Sequence, residues 1–364
     1  MKVLGLCAAP EISASTRYRL TQYVEPLRQR NVDLQVRPFL DSEQYARFYD
    51  DTGAVARIGT VAGPLVRRFF DALDARKADV IFVQREALFF GPAIFEWLAR
   101  NVGRTPMVLD LDDAVHIPYR SERYGRLGTA LKFFGKTDAL IRASRTVICG
   151  GRPLAEYVER LGAKSVVIPT AVDPGKFTPR EGVNDVPVVG WIGTPSTAPF
   201  LRSILPAIRG AARHHEFLLR VRGAGDVPLD LEGVNSDVRP WRLETEIADF
   251  RSIDVGLYPL VETDAVSRAY LEGKSGFKAV QYLTLGVPYI VSPIGVAAEI
   301  GEAGATHLEA RNEVEWEAAL DLLLSDKYLR RRMGEAGRKH ALQHYDLETC
   351  ADRLADVLRT AASK

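Results

Sequence analysis

Short apolar runs alternate with longer stretches of helical periodicity along most of the 364 residues, and this alternation predicts parallel sheets assembled from βαβ units. In the first half the strand candidates are Val3–Ala8, Val32–Val36, Val80–Val83, Met107–Asp110, Thr146–Cys149 and Ser165–Ile168. Helical patterns over Thr16–Gln29, Val61–Arg76, Ala93–Asn101, Leu127–Ala143 and Leu154–Leu161 separate most of them. A stretch rich in proline and glycine, Pro169 to Gly182, then interrupts the pattern as a domain linker would. The alternation restarts with Val188–Ile192, Phe200–Arg213, Phe217–Arg222, Glu244–Arg251 and Val255–Leu260, and a further strand is expected near His307–Glu309. Three successive helical patterns, Val314–Ser325, Lys327–Tyr345 and Glu348–Ala362, close the chain. The reading is an α/β protein of two doubly wound, Rossmann-like domains facing across a cleft. Residues 1–169 form the first, 170–187 the linker and 188–345 the second, while 346–364 form a helix that packs back on the first. Open α/β sheets bind ligands beyond the carboxyl ends of their strands, so functional residues are expected in the loops that follow strands.

The stretch Arg268–Pro293 reads as loop, helix, turn and buried strand, with Gly273, Gly276 and Gly286 as punctuation. A helix that begins after glycines and carries Lys274 and Lys278 near its start offers N–H groups, a positive dipole end and two cations to an anion such as phosphate. Glu272-Gly273-Lys274-Ser275 resembles the end of a phosphate-binding P-loop, but Arg268 stands where that loop needs its leading glycine, so a P-loop NTPase is disfavoured.

Composition adds little direction. A formal net charge of +1 gives no reason to expect nucleic acid, and three cysteines without C-x-x-C spacing indicate neither a disulfide framework nor a zinc site. The amino terminus meets polar residues too early for a signal peptide, and no apolar run is long enough to span a membrane, so a cytoplasmic location is expected.

Several loops carry candidate chemistry. Ala8 to Arg19 lacks the G-x-G-x-x-G of a dinucleotide site; Ser15 or Thr16 suits a helix cap, and Arg17 in the first turn opposes the helix dipole and is a candidate contact for an anionic group. Asp110-Leu111-Asp112-Asp113-Ala114-Val115-His116 ends a strand. A metal site, a polar contact to a hydroxylated substrate with a carboxylate or His116 assisting catalysis, and simple capping all fit it; the substrate contact is preferred and no metal is assigned. Between Arg120 and Arg145, arginines and lysines including Arg123, Arg126, Lys132 and Lys136 interleave with Tyr119, Tyr124, Phe133 and Phe134. That pattern fits either an enzyme resting on anionic lipid or a solvated helix whose aromatic residues face the core. In the second half, Gly193-Thr194 allow close backbone approach, Arg222 adds a cation, and Trp241 suits either a flat base or the core.

Together the linker Val172–Phe177, the Gly190–Thr197 loop, Asp254–Leu260, the Gly273–Pro288 segment and the terminal helices resemble the donor half of GT-B glycosyltransferases, specifically the retaining family four enzymes. The resemblance covers about Val166 to Tyr345. Family members carry two glutamates two helical turns apart. Alignment on Gly286 and Pro288 puts Gly273 and Gln281 at those positions; Glu272 stands one place away, and Gln281 retains hydrogen-bonding capacity toward a ribose hydroxyl. The resemblance implies metal-independent transfer of a sugar, with retention, from a nucleoside diphosphate sugar as co-substrate to a glycan or lipid-linked acceptor. Lys274, Lys278, Arg17 and the amides near Gly276 and Phe277 would balance the departing diphosphate. Gly193, Thr194, Arg222, Trp241, Glu272 and Gln281 would complete the donor site, while Asp112, Asp113 and His116 would lie near the reacting hydroxyl, with Ser15 and Arg17 on acceptor or phosphate. A sugar-nucleotide epimerase or hydrolase of the same fold, or a non-catalytic sugar-nucleotide-binding partner, are the alternatives.

Overall fold

A computed structural model describes residues 1–49, 54–118, 131–182 and 184–363. By internal contacts the chain divides into two units, residues 1–171 with 347–364, and residues 172–346. The expected linker therefore contributes mostly to the second unit, where Phe177 is buried.

The first unit holds a six-stranded parallel sheet in the order β2-β1-β3-β4-β5-β6, made of β1 (Lys2–Cys7), β2 (Asp33–Pro38), β3 (Val80–Gln84), β4 (Met107–Leu111), β5 (Thr146–Cys149) and β6 (Ser165–Val167). Strands β3, β4 and β5 are buried at every position, as expected of a parallel sheet covered on both faces. Its helices are α1 (Ala14–Arg19), α2 (Val24–Gln29), α3 (Ser42–Tyr49), α4 (Ala54–Asp74), α5 (Ile94–Gly103), α6 (Lys136–Ala143) and α7 (Arg152–Arg160). The last helix of the chain, Leu347–Ala362, lays Leu347, Ala351, Leu354 and Leu358 into the core beside Val3, Leu27 and Phe82.

Two expected helices are broken. Thr16–Gln29 is α1, a 3-10 turn and α2: the break falls at Leu20, at φ −127° and ψ −65°, and Pro26 then lacks the N–H that an α-helix would give to the Gln22 carbonyl. The expected Leu127–Ala143 helix has a break at Phe133, whose φ of 57° lies in the left-handed region, and α6 begins at Lys136. Residues 127–130 of that expectation lie outside the described residues. Helix α3 is short and polar on average, with Tyr45 and Phe48 packed against the cluster of Phe39, Leu40 and Leu88, and is absent from the elements expected above.

The second unit carries six parallel strands in the order β12-β11-β10-β7-β8-β9: β7 (Val188–Ile192), β8 (Leu218–Arg222), β9 (Ser236–Arg239), β10 (Val255–Tyr258), β11 (Tyr289–Val291) and β12 (His307–Glu309). Strand β9 sits at an edge, mostly exposed and polar, so no apolar run announced it. Its helices are α8 (Ala198–Ser203), α9 (Leu205–Ala211), α10 (Glu246–Arg251), α11 (Ala265–Glu272), α12 (Phe277–Thr284), α13 (Val296–Glu299), α14 (Glu313–Ser325) and α15 (Lys327–His344). Expected Phe200–Arg213 is split into α8 and α9, with Pro206 in the first turn of the second. The chain runs from β7 through β8 to β9, then returns to place β10 on the other side of β7. That reversal makes the carboxyl ends of β7 and β10 the switch point, where a doubly wound sheet opens a crevice.

Candidate functional site

At the switch point of the second unit, α12 delivers its first turn to the ends of β7 and β10. Gly276 caps the helix at φ 62°, a conformation that favours glycine, and a methyl group there would press on the end of the Ile300 side chain. Tyr282 fixes the other end of the helix by donating from its hydroxyl to the carbonyl of Gly190 (3.1 Å) and leaning toward that of Leu257 (3.4 Å). One turn earlier on the same face, the Lys278 ammonium stands 5.0 Å from the centre of the Trp191 ring and 5.7 Å from that of Tyr258. These rings come from β7 and β10, so the lysine sits over the reversal itself.

Lys278 is half-buried, and among the described residues no carboxylate acts on it. Burial, reinforced by Lys274, pushes its pKa down to about 7. Lys274 lies 5.4 Å from the centre of the Tyr270 ring. Gln281, three residues beyond Lys278, is almost fully buried and its amide nitrogen has no partner among the described residues. An enclosed amine and an enclosed amide donor, each without an acceptor, are what a polar ligand would satisfy.

The neighbouring strand ends join this place. Gly193 receives the edge of the Trp191 ring where a side chain would stand, and its N–H donates to the Arg222 carbonyl (2.9 Å). Gly223, at φ 82°, packs against the Gly193 carbonyl and Trp241, and its N–H donates to the Arg239 carbonyl (3.0 Å). Thus Gly193, Trp241, Lys278 and the start of α12 belong to one edge of one sheet. Thr194 serves locally, its hydroxyl lying 2.9 Å from that of Ser196 at the cap of a short 3-10 turn. Glu272 is exposed at the end of α11, its backbone against Gly295 in the loop after β11.

Arg222 differs from the sequence expectation. Its guanidinium donates to Asp249 (2.8 Å), Asp237 (2.7 Å) and the carbonyls of Val221 and Asp237, so its donors are consumed inside the unit. It ties β8 to β9 and α10 and is a structural ion-pair centre. Conversely, Trp191 and Tyr258 were not singled out in the sequence, although each lies at the end of a strand flanking the reversal.

In the first unit the loop after β4 is also ordered by arginines. Buried Asp110 accepts from Arg19, which donates as well to the carbonyl of Ile168 (2.9 Å). Arg85 bridges Asp112 (2.8 Å) and Asp113 (2.6 Å), and the Gln84 amide donates to Asp112 (3.2 Å). Burial would raise the Asp112 carboxyl, but Arg85 outweighs it and, with a hydrogen bond from Ser15, holds Asp112 below the usual carboxylate range. Asp112 is therefore held ionised by Arg85, which also binds Asp113; a carboxylate so stabilised is a poor base, so of the roles expected here Asp112 suits a polar contact to a hydroxyl better than proton transfer. His116 stacks on Tyr157 with ring centres 3.7 Å apart, its Nδ1 is buried without a partner among the described residues, and burial lowers its pKa, which favours the neutral imidazole at neutral pH.

Arg17 turns back to donate to the carbonyls of Glu11 (3.1 Å) and Ile12 (3.0 Å), which answers why a cation is tolerated in the first turn of α1. Ser15, Gln84, Arg85 and Asp112 do gather, at the carboxyl ends of β3 and β4. Lys132 and Lys136 both pair with Glu86, and Lys136, buried, also donates to the Leu88 carbonyl (2.8 Å). These two lysines of the basic, aromatic-bearing pattern are thereby paired within the unit; Tyr119, Arg120, Arg123, Tyr124 and Arg126 lie outside the described residues. No helix among the described residues is long and apolar enough to cross a membrane.

No family model matches the chain, and no curated protein matches its sequence. Solved structures do. The chain is similar to HepE of Anabaena crystallised with UDP-glucose, at 15% identity and a TM-score of 0.70 over 99% of this chain and 100% of that one. It is similar to sucrose-phosphate synthase of Thermosynechococcus elongatus, at 14% identity and a TM-score of 0.68 over 99% of both. A glycosyltransferase of Rickettsia africae matches at 12% identity and a TM-score of 0.66 over 100% of this chain and 99% of that one. The two six-stranded parallel sheets match these GT-B glycosyltransferase structures, and GT-B is the fold of this chain.

Proposed function

We propose that the protein is a glycosyltransferase that binds a nucleoside diphosphate sugar in its second unit and passes the sugar to the hydroxyl of a glycan or lipid-linked acceptor. The observation that carries the reading is Lys278, an amine without a carboxylate partner, enclosed over Trp191 and Tyr258 at the reversal of the sheet. A group whose charge is suppressed by burial and by a second lysine gains most from an anion, because the anion restores the proton and supplies the missing partner. Lys274, Lys278 and the first turn of α12 at Gly276 and Phe277 would hold the diphosphate. Gln281 would donate to the ribose, and Trp241 with Gly193 would border the base.

Positive charge from the lysines and the helix end takes the place that a divalent cation has in other transferases, so transfer is metal-independent in this reading. Retention of the anomeric configuration and a place in family four are what the sequence resemblance would imply. In the first unit, His116 and the Ser15–Asp112 cluster would orient the acceptor; the ionised Asp112 would accept a hydrogen bond and position the hydroxyl. The site of action would be the cytoplasm. HepE, with its UDP-glucose, makes a uridine nucleotide the first donor to try.

A thermal-shift panel of nucleoside diphosphate sugars, followed by product analysis with and without candidate acceptors, tests the reading. Stabilisation by one donor, with turnover that needs an acceptor and persists in EDTA, is expected. Rapid turnover with water alone would make the protein a hydrolase, and stabilisation by none of the donors would contradict the reading.

A further inference from the structure

The first unit exposes apolar side chains that its core does not use. On α4, Val66, Phe69 and Phe70 are exposed, Phe70 by 60%; on α5, Ile94 and Trp97 are exposed, Trp97 by 62%. Spacings of three and four residues put each set on one stripe of its helix. The helices lie side by side and parallel, because their carboxyl ends meet: Thr105 donates to the Ala75 carbonyl (2.9 Å), and Gly103 abuts the backbone of Arg76. Phe70 and Trp97 each lie six residues before the point where the two helices' ends meet, at Arg76 and Gly103. Soluble proteins rarely leave such a group of large apolar side chains in water unless something covers it.

The charges beside this face have one sign. The stripe of Ile94 and Trp97 continues to Asn101, whose amide donates to the Trp97 carbonyl (2.8 Å), and Asn101 lines an open cavity of about 500 Å³ with Arg100, Arg104, Arg142 and Arg145. No acidic side chain lines that cavity, and the nearest ion pair to it, Arg142 with Asp138, is a loose 4.0 Å. The acids of the two helices are withdrawn: Asp71 and Glu96 are buried, and Asp74 pairs with Lys77 (2.7 Å) and Arg37 (3.2 Å). Aromatic side chains beside exposed arginines are the composition of a surface that enters the interfacial layer of an anionic bilayer. A second copy fits less well, since a two-fold contact would bring identical arginine rims together without acids to pair them.

We propose that the α4–α5 face docks this protein on an anionic phospholipid surface, with Phe69, Phe70 and Trp97 inserted and Arg100, Arg104 and Arg142 of the cavity receiving headgroup phosphates, while Arg145 is held by the carbonyls of Ala361 and Ser363. It places the membrane contact on a different part of the chain from the Arg120–Arg145 pattern, and it is independent of the donor site. The full chain is floated with vesicles of phosphatidylcholine alone and with vesicles containing phosphatidylglycerol, alongside two triple variants, Phe69→Ser/Phe70→Ser/Trp97→Ser and Arg100→Ser/Arg104→Ser/Arg142→Ser. All altered residues are exposed, so folding is retained, as melting temperature and nucleotide-induced stabilisation will report. Flotation only with the anionic vesicles, reduced by an order of magnitude or more in both variants, is expected. A parent chain that stays at the bottom of the gradient, or variants that float like it, would overturn the proposal. So would a lipid-free dimer, seen by sedimentation, that the apolar variant converts to monomer, because a second copy would then be the cover.

Discussion

Lys278 carries a cost that is visible without any ligand. Its pKa of about 7 lies below the ~10.4 of an unfolded lysine, so between those values the unfolded chain binds more protons than the folded one. Stability in the ligand-free state therefore rises with pH across that window from this group, and below about pH 7, where both states are charged, the penalty is complete. Lys278→Met should melt at a higher temperature than the parent at pH 7, and its melting temperature should climb less between pH 7 and pH 9; an equal slope in both proteins would show that the amine is not desolvated. Arg85 has the opposite character. Removing it as Arg85→Ala leaves the buried Asp112 carboxylate with only Gln84 and Ser15, and the loss of one partner of a buried pair costs about 3–5 kcal/mol. Urea denaturation should show that loss, whereas a change below about 1 kcal/mol would mean that water already screens the pair.

At the scale of elements, α12 is the part that the ligand reading depends on, and its entry is fixed by Gly276. Gly276→Ala forces an L side chain into the left-handed region and against Ile300, with an expected cost of about 1–3 kcal/mol. Its donor affinity should fall as well, since the first turn is displaced; thermal melting with and without nucleotide measures both, and unchanged values would show that the turn relaxes freely. This helix was legible in the sequence because glycines, two lysines and an apolar run followed one another in order. Its partners were not. Trp191 and Tyr258 read as ordinary apolar strand residues, and only the order of strands reveals that their ends flank the reversal. Arg222 illustrates the converse: a cation after a strand reads as a ligand contact until the carboxylates of β9 and α10, distant in sequence, are seen to consume it. The broken helices near Leu20 and Phe133 were missed because the apolar period continues through both breaks, and the edge strand β9 because it has no apolar face to display.

For the molecule as a whole, the alternation of apolar runs and helical patterns was enough to indicate two parallel α/β sheets, since buried parallel strands have little freedom in composition. The last helix belongs to the first unit by packing. Leu354 lies in that core, and Leu354→Ala should destabilise the first unit by about 2–5 kcal/mol, the usual cost of such a truncation. Hydrogen exchange should then accelerate in β1 and β3 and leave β7 and β10 unchanged; equal acceleration in both sheets would mean that the two units unfold as one. What the sequence could not display was the pairing of charges, because Arg19 with Asp110 and Arg85 with Asp112 join positions far apart in the chain.

The most direct test is calorimetric titration of UDP-glucose and UDP into the parent chain and Lys278→Ala, repeated at neutral pH in buffers of different ionisation enthalpy. Loss of a charge-assisted bond to phosphate predicts weaker binding by about 1.5–3 kcal/mol in the variant. Because an anion returns a proton to Lys278, the parent should also take up a fraction of a proton on binding, and the variant should not. Equal affinity and equal proton uptake in the two proteins would contradict the assignment of Lys278, and no binding of either nucleotide by the parent chain would contradict a uridine-nucleotide donor site in the second unit.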